Sequence, residues 1–271
     1  MRALRAWLAR AWWCLAQMSR ASVEGEERRA KILLAPELRR HLELIGRVYN
    51  LVPPINRAFE GRAITGMPLP LKVRLVLLGR LADDLVCVGR LCEIGYSGQG
   101  CTVAASIFEV AHTIAYVGND KRARAWSSHN DPTRPFKPVA EIVQMNVNAA
   151  GFQDPEERSR SEYRLYRQLC WLKHANPLLM DFRDINSWEA HGTLDYGPNT
   201  SEEGIRRSWF ALQHAGRLGL MAMASIFTKD LDTQTQQSLV IPVGECTRIL
   251  DDLNVQAKDR WGTEMPFQGR W

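Results

Sequence analysis

The segment YRLYRQLCWLKHANPLL, Tyr163 to Leu179, sets Arg167 and His174 on a stretch of helical character that stops at a proline. On a helix the seven steps between them come within about 20° of two full turns and separate the alpha carbons by about 10.5 Å, so both side chains share a face. Pro177 disfavours helical dihedrals at Asn176, which puts His174 in the last turn, where the negative end of the helix dipole favours imidazolium. A protonated histidine beside Arg167 and Lys173 suits a phosphate or another anion and can act as a general acid. Tyr163 and Asn176 are the further binding contacts of such a site. The competing account is that His174 and Lys173 simply cap the free carbonyls of the helix end.

A second set of residues lies earlier in the chain. Ser106, Glu109 and His112 recur at i, i+3 spacing and are expected on one face of one helix. Glu-x-x-His is the step that helical bundles use to hold di-metal centres, but such sites need a second copy and further glutamates, and no second copy occurs in the sequence. The expectation is therefore a structural polar cluster, with Glu109 half-buried or buried and paired with a cation such as Arg90 from the preceding helix. No metal or other cofactor is expected.

These residues need helices to hold them, and the apolar pattern supplies helices. Leu34, Leu38, Leu42, Ile45 and Val48 form one stripe. Leu71, Leu78, Leu81, Leu85, Val88 and Leu91 form another, and Val103, Ile107, Val110 and Ile114 a third. All keep a period of three to four. Asp154, Pro155 and the acids after them open the Tyr163-bearing helix as cap, first position and first turn. Thr200 or Ser201 caps a long helix beyond. With no convincing alternating strand, internal repeat or nucleotide-binding glycine loop, the reading is all-α, a bundle of about seven to nine helices.

Composition narrows the class further. A chain of 271 residues that is 45% hydrophobic buries a sizeable core. Six cysteines without C-x-x-C spacing read as reduced thiols in a cytoplasmic protein. The net charge of +5 is mild, and acids are interspersed nearly everywhere except at the start. Residues 1–23 hold four arginines and no acid, with Trp7 and Trp12 on an apolar stripe. That is a basic amphipathic helix, too short and too charged to span a membrane. It either docks on the body, residues 24–271 read as a single domain, or contacts a membrane surface.

Two resemblances add to this. The run LCEIGYSGQGCTVAASIFEVAHTIAYVGND, with YRLYRQLCWLKHANPLL after it, resembles an uncharacterised bacterial helical family known only as a domain of unknown function, over roughly residues 70–185. Its matching steps are Ser106 to Glu109, and His174 with Asn176 and Pro177; it implies a fold and no activity. Arg167 and His174 also resemble the Arg-x(4 to 6)-His signature of the HEPN superfamily, which implies a HEPN-like helical core, metal-independent RNA cleavage in a toxin or defence system, and action as a homodimer. Three functions stay open: a HEPN-like endoribonuclease acting on RNA with Arg167 and His174 as catalytic groups, a non-catalytic helical binding or regulatory module that uses the same polar pocket for an anionic ligand or a partner, and a metal-dependent helical enzyme.

Overall fold

The computed structural model describes residues 2–131, 136–173 and 197–262, with side chains from residue 22 onward apart from 64 and 171–173. The described residues form helices and no strand: α1 (Arg2–Tyr49), α2 (Val52–Arg57), α3 (Leu69–Glu93), α4 (Ser97–Tyr116), α5 (Asp120–Ser127), α6 (Val139–Ala150), α7 (Pro155–Lys173), α8 (Glu202–Phe227) and α9 (Thr233–Trp261). A single 3-10 turn, Ile64–Gly66, lies between α2 and α3. The all-α bundle expected from the apolar period is what the chain forms.

Local chemistry fixes the helix ends. The Asp154 side chain accepts the Glu157 amide at 3.0 Å and Pro155 opens α7. Ser201 accepts from the Gly204 amide at 3.3 Å at the head of α8, and Asp232 from the Thr235 amide at 2.9 Å at the head of α9. Gly151 and Gly262 end α6 and α9 with φ of 71°, a left-handed conformation that glycine enters without steric cost.

α4 and α8 form the central pair. α8 also packs on α1, α3 and α9, while α4 carries α3 on one side and α6 and α7 on the other. α8 is buried along nearly its whole length, from Gly204 to Ile226. Two of its glycines let α1 approach closely. A Cβ on Gly216 would sit 2.5 Å from Leu44 Cδ2, and one on Gly219 would sit 2.6 Å from Val48 Cγ1.

Residues 2–23, read above as an N-terminal helix, lie on the same helix as the apolar stripe from Leu34 to Val48. The helix runs unbroken from Arg2 to Tyr49 and contains Pro36. Gly25 stands alone there, and one glycine costs a helix only about 1 kcal/mol. Pro36 is exposed, so the Ile32 carbonyl, which loses its i+4 donor, lies on a side open to water. The first buried residue described on α1 is Ala30, and one apolar cluster extends from there to Ala257. No helix among the described residues is long and apolar enough to cross a membrane. Cys92, Cys101, Cys170 and Cys246 are buried thiols, and Cys87 is exposed.

Candidate functional site

α7 has two different faces. Ser159, Glu162, Leu165, Gln168, Leu169 and Cys170 point into the bundle, whereas Arg160, Arg164 and Arg167 are exposed. The spacing i, i+4, i+7 keeps the three arginines within about 60° of arc and along about 10.5 Å of helix. Tyr163 is half-buried beside them, its ring centre 5.8 Å from that of Tyr166. Arg160 approaches Glu157 at 3.4 Å, a contact between groups 68% and 57% exposed. Neither Arg164 nor Arg167 is drawn into an ion pair with any other described residue. Acids on α7 are confined to Glu156 and Glu157 in the first turn and to Glu162 on the inner face, so from Arg160 onward the outer face is cationic.

The inner face anchors that outer one. Glu162 is 6% exposed and takes a two-pronged hydrogen bond from Arg217 of α8, at 2.9 and 2.7 Å. Arg158, one turn earlier on α7, adds an ion pair at 2.8 Å. Burial works to raise the Glu162 carboxyl, but the charge and hydrogen bonds of Arg217, helped by Arg158, outweigh it and hold the group below the usual carboxylate range. Tyr166 donates to Glu109 of α4 at 2.6 Å and stacks on Phe108 with ring centres 5.0 Å apart. Burial, then hydrogen bonds to Cys170 and Glu109, push the Tyr166 phenol up. α7 is thereby bolted to α4 and α8 by charge-assisted and aromatic contacts.

The predicted polar cluster is distributed rather than gathered. Each i, i+3 step falls about 60° short of a full turn, so the row from Ser106 to His112 winds around α4. Ser106 faces α3, donating to Asp84 at 2.9 Å and accepting from Arg80 at 3.2 Å. Glu109 is half-buried and faces α7. His112 is 2% exposed and faces α6, where Asn146 donates to its backbone carbonyl at 2.8 Å and approaches Nδ1 at 3.3 Å. Arg90 is not the cation of this cluster. Its side chain is 74% exposed and meets Glu93 at 4.0 Å, because the outer side of α3 points away from α4. The arginine within electrostatic reach of His112 is Arg217. Among the described residues, no three histidine, cysteine, aspartate or glutamate side chains converge as metal ligands.

Burial drives His112 down to about 4 and His214 of α8 down to about 3, so both are neutral imidazoles beside the Glu162–Arg217 pair. His112 Nε2 and both ring nitrogens of His214 have no hydrogen-bond partner. This junction was not anticipated from the sequence, although a signal existed: Glu162 stands on the same row as Leu165 and Leu169, where a carboxylate must be paired if it is buried. His174 and Asn176 lie outside the described residues. Lys173 closes α7, and its side chain is likewise outside them. Of the predicted anion site, Arg167 is thus placed on the exposed face of α7 with Tyr163 one turn before it.

Comparison of the chain with known protein families, with curated proteins and with solved structures yields no match.

Proposed function

We propose that the chain is a helical module that binds single-stranded RNA along the outer face of α7. The observation that carries this reading is the row Arg160, Arg164 and Arg167, exposed and free of acids beyond the first turn, with Tyr163 half-exposed alongside. Guanidinium groups match phosphate oxygens with forked donors. An aromatic ring beside a cationic track is the means by which proteins hold unpaired bases without reading their sequence. The Glu162–Arg217 and Glu109–Tyr166 contacts hold the helix still, so the arginines are presented on a rigid support. A net charge of +5 adds a mild long-range attraction for a polyanion.

The test is fluorescence anisotropy with a labelled oligouridylate over a series of salt concentrations. Each phosphate contact on a single strand contributes about 0.7 to the slope of log affinity against log salt. Replacing Arg160, Arg164 and Arg167 together by glutamine is expected to lower that slope by about 2. The reading fails if the triple variant binds with the wild-type slope, or if duplex RNA or anionic vesicles bind more tightly than the single strand.

Exposure of Arg167 also keeps cleavage within this reading. An RNA held on the α7 face would lie beside Arg167, with His174 following Lys173 in the chain. Incubating bound RNA with EDTA present separates the two roles: cyclic phosphate ends that disappear in His174→Ala assign a metal-independent endoribonuclease, and intact RNA assigns a binding module.

A further inference from the structure

A second cationic feature lies away from the outer face of α7, where α4 and α8 end, α5 begins and α6 finishes. There a hollow of about 270 Å³ is lined by Gly118, Asn119, Arg122, Asn146, Ser225 and Lys229, with alanines completing the wall. No carboxylate lines it. Its volume is below the ~300 Å³ at which pockets begin to take drug-sized ligands, so its occupant is compact. The small residues leave the space open, and the polar ones face it from α5 with its cap, from α6, and from α8 with the turn after it.

The donors in the wall are only partly used. Arg122 donates through Nη1 to the Tyr116 carbonyl at 3.3 Å, with its guanidinium carbon 4.7 Å from the Tyr116 ring centre. The Asn119 side-chain oxygen takes the Arg122 amide at 3.0 Å, which caps α5 and leaves the amide NH2 of Asn119 for another partner. Lys229 is exposed and pairs with no acid among the described residues. Asp120, next to the cap, is exposed and outside the lining.

Behind the wall stands a buried cation. Arg74 is 1% exposed; its Nε donates to the Ile114 carbonyl at 3.1 Å and its Nη1 to Asp230 at 2.6 Å. Its Nη2 has no partner. That nitrogen presses against Gly118, where an added Cβ would lie only 2.6 Å from it. Helix capping explains Nε and the ion pair explains Nη1, but neither explains an unpartnered guanidinium nitrogen turned toward the wall of a hollow that already holds Arg122 and Lys229. Asp230 offsets one of the three positive charges, so the net field at the hollow favours an anion.

We propose that this hollow binds a phosphate dianion, either as a free phosphate or as a terminal monoester. Arg122 and Lys229 supply the charge-assisted donors, Asn119 an amide donor and Ser225 a hydroxyl, a set that a tetrahedral group with several acceptor oxygens satisfies better than a chloride ion does. Arg74 acts through the Gly118 wall and does not touch the ligand.

The experiment is isothermal titration of the full chain with inorganic phosphate at constant ionic strength and near-neutral pH. Saturable binding is expected, weakened about tenfold in Lys229→Gln and in Arg122→Gln, the effect of one hydrogen bond to a charged group. Lys229 is exposed, so its variant keeps the test valid if loss of the Tyr116 contact disturbs folding of the Arg122 variant. Arg167→Gln is expected to leave the phosphate affinity unchanged, which separates this site from the α7 face. Two further titrations identify the source. Tighter binding of a 5′-phosphorylated oligouridylate than of its 5′-hydroxyl form, with the gain lost in Lys229→Gln, assigns the hollow to an RNA end; equal binding of the two alongside retained phosphate binding assigns it to a small free phosphate. Absence of saturable phosphate binding, or the same affinity in wild type and Lys229→Gln, overturns the proposal.

Discussion

Acidification should destabilise this protein before its ordinary carboxylates titrate, and the reason is three histidines. His41, His112 and His214 are 0%, 2% and 0% exposed. Burial lowers them to about 3, about 4 and about 3, against about 6.5 in an unfolded chain. His41 packs at a tilt of 44° against Trp209 with ring centres 4.3 Å apart, and neither of its ring nitrogens is hydrogen-bonded. The other two face Glu162 and Arg217. Because the folded-state values are depressed, the groups are neutral in both states above about pH 6.5 and contribute nothing there. Below it the unfolded chain takes up protons that the native chain cannot, and stability falls until the folded-state values are reached. At about pH 5 each histidine costs about 2 kcal/mol, and the three together about 6 kcal/mol. A typical domain holds about 5–15 kcal/mol in all, so the loss takes from about two fifths to all of it. Urea denaturation followed by far-UV circular dichroism, at neutral pH and at about pH 5, measures the difference. His214→Asn should flatten the pH dependence by about a third in this window, whatever it does to stability at neutral pH. Equal stability at both pH values, or an unchanged pH dependence in that variant, would refute the reasoning.

Other consequences concern packing. Glu162→Ala strands Arg217 in a mostly buried setting and should cost about 3–5 kcal/mol; a variant with both Glu162→Met and Arg217→Met should recover much of that in a thermal melt. Gly216→Ala drives a methyl into Leu44 and should cost about 1–3 kcal/mol by overpacking, while Gly46→Ala, with nothing within 4 Å of the added Cβ, should not destabilise. Arg167→Ala removes an exposed side chain and should change stability by no more than about 0.5 kcal/mol, so any loss of RNA binding in it is a loss of contact and not of fold.

The apolar stripes made much of the architecture legible. Leu78, Leu81, Leu85 and Val88 on α3, and Ile107, Val110 and Ile114 on α4, are all buried, because a period of 3.6 leaves those positions one side to occupy. The continuity of α1 was not legible, since the change near residue 23 from an acid-free, arginine-rich segment to mixed charge looks like a boundary although the helix continues through it. The polar residues of α8 were hidden for another reason. Ser208, Gln213 and His214 are 0% exposed, and a helix enclosed on nearly every side has no polar face for a pattern to reveal. Gln213 donates to Asn254 of α9 at 2.6 Å, a pairing set by tertiary packing that no local spacing encodes. The same holds for Arg217, whose partner Glu162 is 55 positions away. The hydrogen bond that holds Glu109 likewise comes from Tyr166 of α7, 57 positions away. The arginine row on α7, by contrast, is plain in the sequence once the helix phase is known, because Glu162, Leu165 and Leu169 fix which side is inward.

The central claim, that RNA lies along the outer face of α7, is tested most directly by photocrosslinking the wild-type chain to an oligouridylate and mapping the modified peptides by mass spectrometry. The account predicts crosslinks in the α7 segment, with Tyr163 as the principal site, lost when Arg160, Arg164 and Arg167 are replaced by glutamine. Crosslinks concentrated on other helices, or a pattern unchanged in the triple variant, would contradict it.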